Sequence, residues 1–315
     1  MRRVLLIPLA LIVTLALAAP VGAITNGVPD DEEHPYVGQL LFYVPDDPSP
    51  NFDDPGAWYS CSGTLLSPTI VLTAGHCTYA VGFNGESTTD GGDDGNGGND
   101  IWVTFEEEAD FEGFPASADY EPDENDERYE DRADWLNDHD EWIRGTAFSH
   151  PDFPDEPFYF NDIGVVRLSQ PVILEEYGTI APENWLEQYA IRRGQNRHLF
   201  EVVGYGLTES GPFTAEGGDI RLKGLVKLNT LRGTTAAPPN TIALFSNNPG
   251  KPHTGGTCFG DSGGPIFDST DSNMVVAVTS FGFSSTCSGV GGGYRIDQPD
   301  DLAFLAEFGI FPVEE

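Results

Sequence analysis

Nine short runs rich in β-branched and aromatic residues are spread along the chain, each bounded by Gly, Pro, Asn or Asp: Tyr36–Val44, Gly63–Leu66, Ile70–Thr73, Ile101–Phe105, Ile163–Leu168, Leu199–Tyr205, Lys223–Leu228, Met274–Phe281 and Gly293–Ile296. Runs of this length suit strands, and the residues between them suit turns. The spacing predicts an all-β sandwich or barrel architecture. One segment departs from it. Leu302, Leu305, Ala306 and Phe308 recur at helical spacing, which predicts a helix near the C-terminus. A length of 315 residues allows one large domain or two modest ones with an ample core.

The first 23 residues stand apart. Arg2 and Arg3 precede an apolar stretch, Val4–Ala19, too short for a comfortable membrane span, and small residues follow to Ala23. This is the pattern of a secretory signal peptide, predicting a secreted, extracellular protein with no membrane partner after cleavage. Cleavage after Ala23 would start the mature chain at Ile24; cleavage after Ala18 would leave a five-residue prosegment, Ala19–Ala23. In an exported protein, four cysteines (Cys61, Cys77, Cys258, Cys287) point to two disulfides, with three pairings open by arithmetic. Zinc is the rival, but no Cys-x-x-Cys occurs.

The chain carries 51 acidic residues against 15 Lys and Arg, for a formal net charge of −36. Removing Arg2 and Arg3 with the leader leaves 13 basic residues against the same 51. Such a surface repels nucleic acid and anionic lipid, which excludes both as partners. It also suggests adaptation to salt, where self-repulsion is screened. Residues 86–156 hold 25 of the acidic residues and only three arginines, and include "DGGDDGNGGND". The composition reads as a long, solvated, partly disordered insertion with one short helix, "RADWLNDHDEW". A structural calcium ion is the alternative occupant, although the spacing of an EF-hand loop is absent. No other cofactor is expected.

The stretch "GGTCFGDSGGPIF" places Ser262 among glycines, as though a backbone amide must lie bare beside a reactive hydroxyl. A serine nucleophile needs a base to take its proton and a buried carboxylate to orient that base. His76 closes the apolar run "TIVLTAGHC", which would carry its ring to a packed barrel end. His34, His139, His150, His198 and His253 read as ordinary surface histidines. Asp162 opens "NDIGVVRL", where a polar pair leads into a buried strand.

In the order His76, Asp162, Ser262, and with "ITNG", "CSGTLLSPTIVLTAGHC", "SHPDF", "VVGYG", "GDSGGP" and "TSFG", the chain resembles the chymotrypsin-like (trypsin-fold) serine proteases over nearly all of residues 24–310. The resemblance implies an all-β fold of two six-stranded antiparallel β-barrels packed around a central cleft, with a C-terminal helix. It places the first barrel at about 36–168 with the acidic insertion 86–156, the second at about 198–297, and the helix at about 299–308. It implies His76 as general base, Asp162 as its orienting carboxylate, Ser262 as nucleophile, and an oxyanion hole from the N–H groups of Gly260 and Ser262. Asp261 would pair with the new amine of Ile24. The disulfides would be Cys61–Cys77 and Cys258–Cys287, the substrates polypeptides, and the protein a monomer.

The specificity pocket would have Gly256 at its base, where a carboxylate would select Lys or Arg. Ser280, Phe281 and Gly282 would form one wall, and Gly292, the best match within the glycine run, the other. An uncharged, wide pocket predicts cleavage after large apolar residues. Trypsin-like cleavage aided by the acidic rim is the alternative. A protease-like binding protein that has lost catalysis, and a serine esterase, are the readings from other classes. An intact triad opposes the first, and chain order opposes the second.

Overall fold

The computed structural model describes residues 24–89, 94–154, 160–190, 198–210, 215–232, 241–247 and 254–314. The expected signal peptide and His253 lie outside the described residues. After a two-residue strand β1 (Val28–Pro29), the first barrel comprises β2 (Val37–Val44), β3 (Ala57–Ser67), β4 (Ile70–Thr73), β5 (Ile101–Thr104), β6 (Ile143–Ser149) and β7 (Gly164–Leu168). It closes in the order β2-β3-β4-β7-β6-β5. β2 is buried along its whole length because both its faces are covered. Leu40, Phe42 and Val44 join the main core, while Leu41 lies in a separate cluster with Trp102, Leu136 and Trp142. A continuous apolar run, rather than alternation, is the sequence mark of such a strand.

The second half contains β8 (Thr179–Ile180), β9 (Phe200–Gly204), a hairpin of β10 (Leu207–Ser210) and β11 (Ala215–Gly217), β12 (Leu222–Thr230), β13 (Ile242–Asn247), β14 (Pro265–Asp268), β15 (Asp271–Gly282) and β16 (Val290–Arg295). Six of these form a ring, β12-β13-β16-β15-β14-β9, which β9 closes onto β12. β12 alternates, with Leu222, Gly224, Val226 and Leu228 turned inward. The two six-stranded antiparallel barrels pack through one shared core, in which Val203, Tyr205, Phe267 and Tyr294 of the second meet Leu65, Leu72 and Val165 of the first.

The region between β4 and β7 keeps the expected strand run at Ile101–Phe105 and overlaps the expected helix, but corrects the expectation of a solvated, partly disordered insertion. Residues 86–156 supply two strands of the first barrel, β5 and β6, and a 14-residue helix α1 (Asn125–Asp138). Beneath α1 lies a small core in which Ala133 and Leu136 meet Trp102, Ala109 and Trp142. The buried face of α1 also carries arginines. Arg128 donates to the carbonyl of Gly56 (2.8 Å) with its guanidinium 4.0 Å from the Phe52 ring centre, and Arg132 donates to Pro115 O (2.8 Å). Acidic residues cover the exposed face, so composition masked a packed subdomain.

The final helix, α2 (Pro299–Glu307), starts with proline at its first turn and buries Phe304 and Leu305. Phe304 meets His150, and Phe308 beyond the helix meets Phe148 of β6, so the end of the chain clasps the first barrel. Among the described residues, no helix is long and apolar enough to cross a membrane.

Candidate active site

His76 reaches the barrel junction because β4 is wholly buried and ends in small residues that permit a tight turn, Gly75–Cys77. The Cys61–Cys77 disulfide ties that turn to β3, with Cα atoms 6.3 Å apart. The Asp162 carboxylate, fully buried just before β7, accepts the backbone N–H of His76 (2.9 Å) and lies 3.0 Å from its Nδ1 through both oxygens. A carboxylate acceptor fixes Nδ1 as the protonated nitrogen and leaves Nε2 as the basic one. Burial pushes the imidazole pKa down, but the charge of Asp162 and its hydrogen bond outweigh this and hold it above 6.5.

Ser280 has a role that its sequence assignment to the pocket wall missed. Its hydroxyl donates to Asp162 Oδ2 at 2.5 Å, so the second barrel helps to fix the carboxylate of the first. The only signal was a hydroxyl residue near the end of a buried apolar strand. His34, expected at the surface, is fully buried, with Nδ1 2.5 Å from Asp30. His150 is also buried, and His198 lies 2.9 Å from Asp268. His76, Cys61 and Cys77 cluster as potential metal ligands, but both sulfurs are consumed in the disulfide.

Ser262 sits in a turn held by its own hydrogen bonds and by one from β3. Asp261 N–H donates to Cys258 O (3.1 Å), Gly264 N–H to Asp261 O (2.9 Å), and Ser62 N–H to Ser262 O (2.8 Å). The Cys258–Cys287 disulfide anchors its start. Gly260 has φ +96°, and an added Cβ would fall 2.9 Å from Gly206 Cα, so both conformation and space require glycine. Among the described residues, no backbone acceptor takes up the N–H of Gly260 or Ser262. Asp261 is buried, and its carboxylate accepts the N–H groups of Gly206 and Cys258, each at 2.8 Å. Burial outweighs those two bonds and pushes its pKa up to about 7.

His76 and Ser262 border two cavities, of about 460 and 1040 Å³. Thr257, Ser280, Phe281 and Gly282 line the smaller one, and a narrow recess continues from Thr257 and Gly282 to Gly256 and Gly291. The glycine run supplies the opposite wall. A Cβ on Gly292 would run into the ring of Phe281, whereas one on Gly291 would meet Thr257 Oγ1 at 3.1 Å. Gly291 and the expected Gly292 both line the recess that reaches Gly256. Behind Gly256 lie Val202, Val226, Phe245 and Ile266, and no described residue lining the recess is charged. Ile24 is buried nearby, and Thr25 exchanges backbone hydrogen bonds with Gly256 at 3.0 and 3.2 Å.

The arrangement is that of a two-barrel protein with a histidine, a buried aspartate and a serine at the barrel junction. The family model described as Trypsin matches residues 136–297, which include Asp162 and Ser262 and begin beyond His76. Serine protease 1 and Serine protease 2 of Drosophila melanogaster are each 26% identical over 272 residues, covering 84% of this chain and 78% of theirs. Among solved structures, HL collagenase aligns with TM-score 0.57 at 17% identity, over 91% of this chain and 99% of its own. Neuropsin, a serine protease of mouse brain, aligns with TM-score 0.55 at 16% identity, over 91% of this chain and 100% of its own. The chain belongs to the trypsin family, and its class is serine endopeptidase.

Proposed function

We propose that the chain is a secreted endopeptidase that cleaves peptide bonds through an acyl-enzyme on Ser262. His76 Nε2 takes the hydroxyl proton as Ser262 Oγ attacks the scissile carbonyl, then gives it to the departing amine; water repeats the sequence to release the acid. Asp162 holds the tautomer and stabilises the imidazolium. The N–H groups of Gly260 and Ser262 receive the developing oxyanion, each such donor being worth about 3–4 kcal/mol. This mechanism requires no cofactor. The observation that carries it is the buried Asp162 bound to His76 Nδ1, with His76 and Ser262 bordering the same cavities.

Removal of residues 1–23 in export would free the amine of Ile24 to pair with Asp261 and order the oxyanion turn. Cleavage is expected after large apolar residues, because the recess at Gly256 is uncharged and backed by apolar side chains. Burying such a side chain gains roughly 1.5–3 kcal/mol. Comparing kcat/KM for peptide anilides ending in Phe, Leu, Ala, Arg and Glu at high salt tests this. Phe and Leu should lead. Arg ahead of both would show that a carboxylate elsewhere sets specificity. Ser262→Ala should lower turnover of the best substrate by about 10⁶-fold, and retention of a few per cent activity would overturn the mechanism.

A further inference from the structure

The larger cavity lies over the first barrel and shares His76, Ser262 and Gly260 with the catalytic centre. On the pocket reading above, the side chain before the scissile bond enters beside Ser280–Gly282, which directs the residues that depart with the amine over the first barrel. There the walls are Phe42, Trp58, Tyr59, Tyr79, Phe153 and Phe259. We propose that the acidic segment between β4 and β7 serves substrate selection: through Trp58 it walls a cleft that receives large apolar or aromatic residues on the leaving-group side of the scissile bond. The inference rests on the triad reading above.

Trp58 is the link. Its ring stacks with Trp102 of β5 (5.8 Å) and Tyr129 of α1 (6.2 Å) and meets the edge of Phe114 (6.5 Å). Arg132 of α1 places its guanidinium 5.7 Å from the same ring. The segment thus backs the indole while β3 presents it to the cleft. Tyr59, 41% exposed, is fixed by donating its hydroxyl to Asp47 at 3.0 Å. Asp47 is the carboxylate among the described lining residues, with one oxygen accepting that hydroxyl, so the greater part of the wall is aromatic. A volume of about 1040 Å³ gives room for two large side chains.

The test uses mature enzyme and internally quenched peptides, identical up to the scissile bond and carrying Phe-Phe, Gly-Gly or Arg-Arg after it. The ethyl ester of the same acyl half serves as the substrate without leaving-group residues. Phe-Phe should exceed Gly-Gly in kcat/KM by about tenfold or more, as burial of an aromatic side chain implies. Tyr59→Ala, at an exposed position, and Trp58→Leu should each reduce that ratio to about threefold or less, and Tyr129→Leu, behind the indole, should lower it as well. Equal rates for Phe-Phe and Gly-Gly with normal ester turnover would overturn the inference and leave the triad standing. Loss of ester turnover in the wild type would instead remove the triad reading. Arg-Arg ahead of Phe-Phe, or an undiminished ratio in the variants, would also overturn the proposal.

Discussion

Asp162 and Asp261 are both buried at the barrel junction, yet they are served by different partners. Asp162 takes a backbone N–H, an imidazole and the Ser280 hydroxyl. Asp261 takes two backbone N–H groups and, among the described residues, no cation. Isolated from counter-charge, its carboxyl is pushed up to about 7 by burial. A buried carboxylate without a cation is costly, and several kcal/mol become available when one arrives. The difference teaches that the carboxylate beside His76 has its partners in place, whereas the carboxylate beside Ser262 meets no opposite charge among the described residues. Under the proposed activation, the amine of Ile24 freed by cleavage would supply that charge.

The largest effect should come from the His76–Asp162 pair. Asp162→Asn keeps the shape but permits the wrong tautomer, so kcat at neutral pH should fall by about 10⁴-fold with the melting profile little changed. The acid limb of kcat/KM, which in the wild type should titrate above 6.5, should also move down. A loss under tenfold would break the distinction between the two carboxylates. The second carboxylate should respond according to state. In mature enzyme, Asp261→Asn leaves the Ile24 ammonium buried and unpaired, costing about 3–5 kcal/mol of pairing and lowering kcat/KM by about 10²–10³-fold. In the uncleaved precursor, the same change should raise thermal stability above pH 7. Equal effects in both states would dissociate Asp261 from activation.

The pH dependence sharpens the same contrast with a smaller effect. In the precursor, Asp261 has a folded pKa of about 7 against an ordinary 3.8. A raised pKa gives stability that is fully present below about pH 4 and lost as pH rises through 7. Precursor retaining residues 1–23 and carrying Ser262→Ala, to exclude proteolysis during the measurement, should therefore melt progressively lower across that window. Mature enzyme, with Asp261 paired, should lack this component in urea midpoints measured side by side. Parallel profiles would contradict the proposed activation.

Much of the fold and site was legible because local chemistry fixed them. The apolar run into Gly75–Cys77, the polar pair before β7 and the glycines around Ser262 each demand a particular backbone setting, and these are the places where the structure brings His76, Asp162 and Ser262 together. The bond from Ser280 to Asp162 was not legible because it joins the two barrels across 118 residues, although Ser280 also lines the cavity as expected. Gly291 and Gly292 differ only in which face of β16 they present, and a glycine run carries no side-chain alternation to reveal that. The acidic segment hid its core for another reason. Arg128 and Arg132 occupy the buried face of α1, so the helix lacks the apolar stripe by which amphipathic helices are found. His34 was hidden similarly, since its ring stacks on the distant Phe267 and its partner Asp30 also takes Arg221.

The smallest expected effect concerns the acidic surface. With a net charge of −36, sodium chloride should raise the melting temperature gradually by screening repulsion. A flat salt series would remove the salt-adaptation reading, and a gain specific to millimolar calcium would point instead to a bound ion in the acidic segment.

The central claim is that the His76–Asp162 pair activates Ser262. The most direct measurement is the site of covalent modification by a fluorophosphonate probe, mapped by peptide mass spectrometry on mature wild type and on His76→Ala. The account predicts a single adduct on Ser262 in the wild type and its near-complete loss in His76→Ala at unchanged fold. Folded, mature wild type that remains unlabelled, or that carries the adduct on another residue, would contradict it.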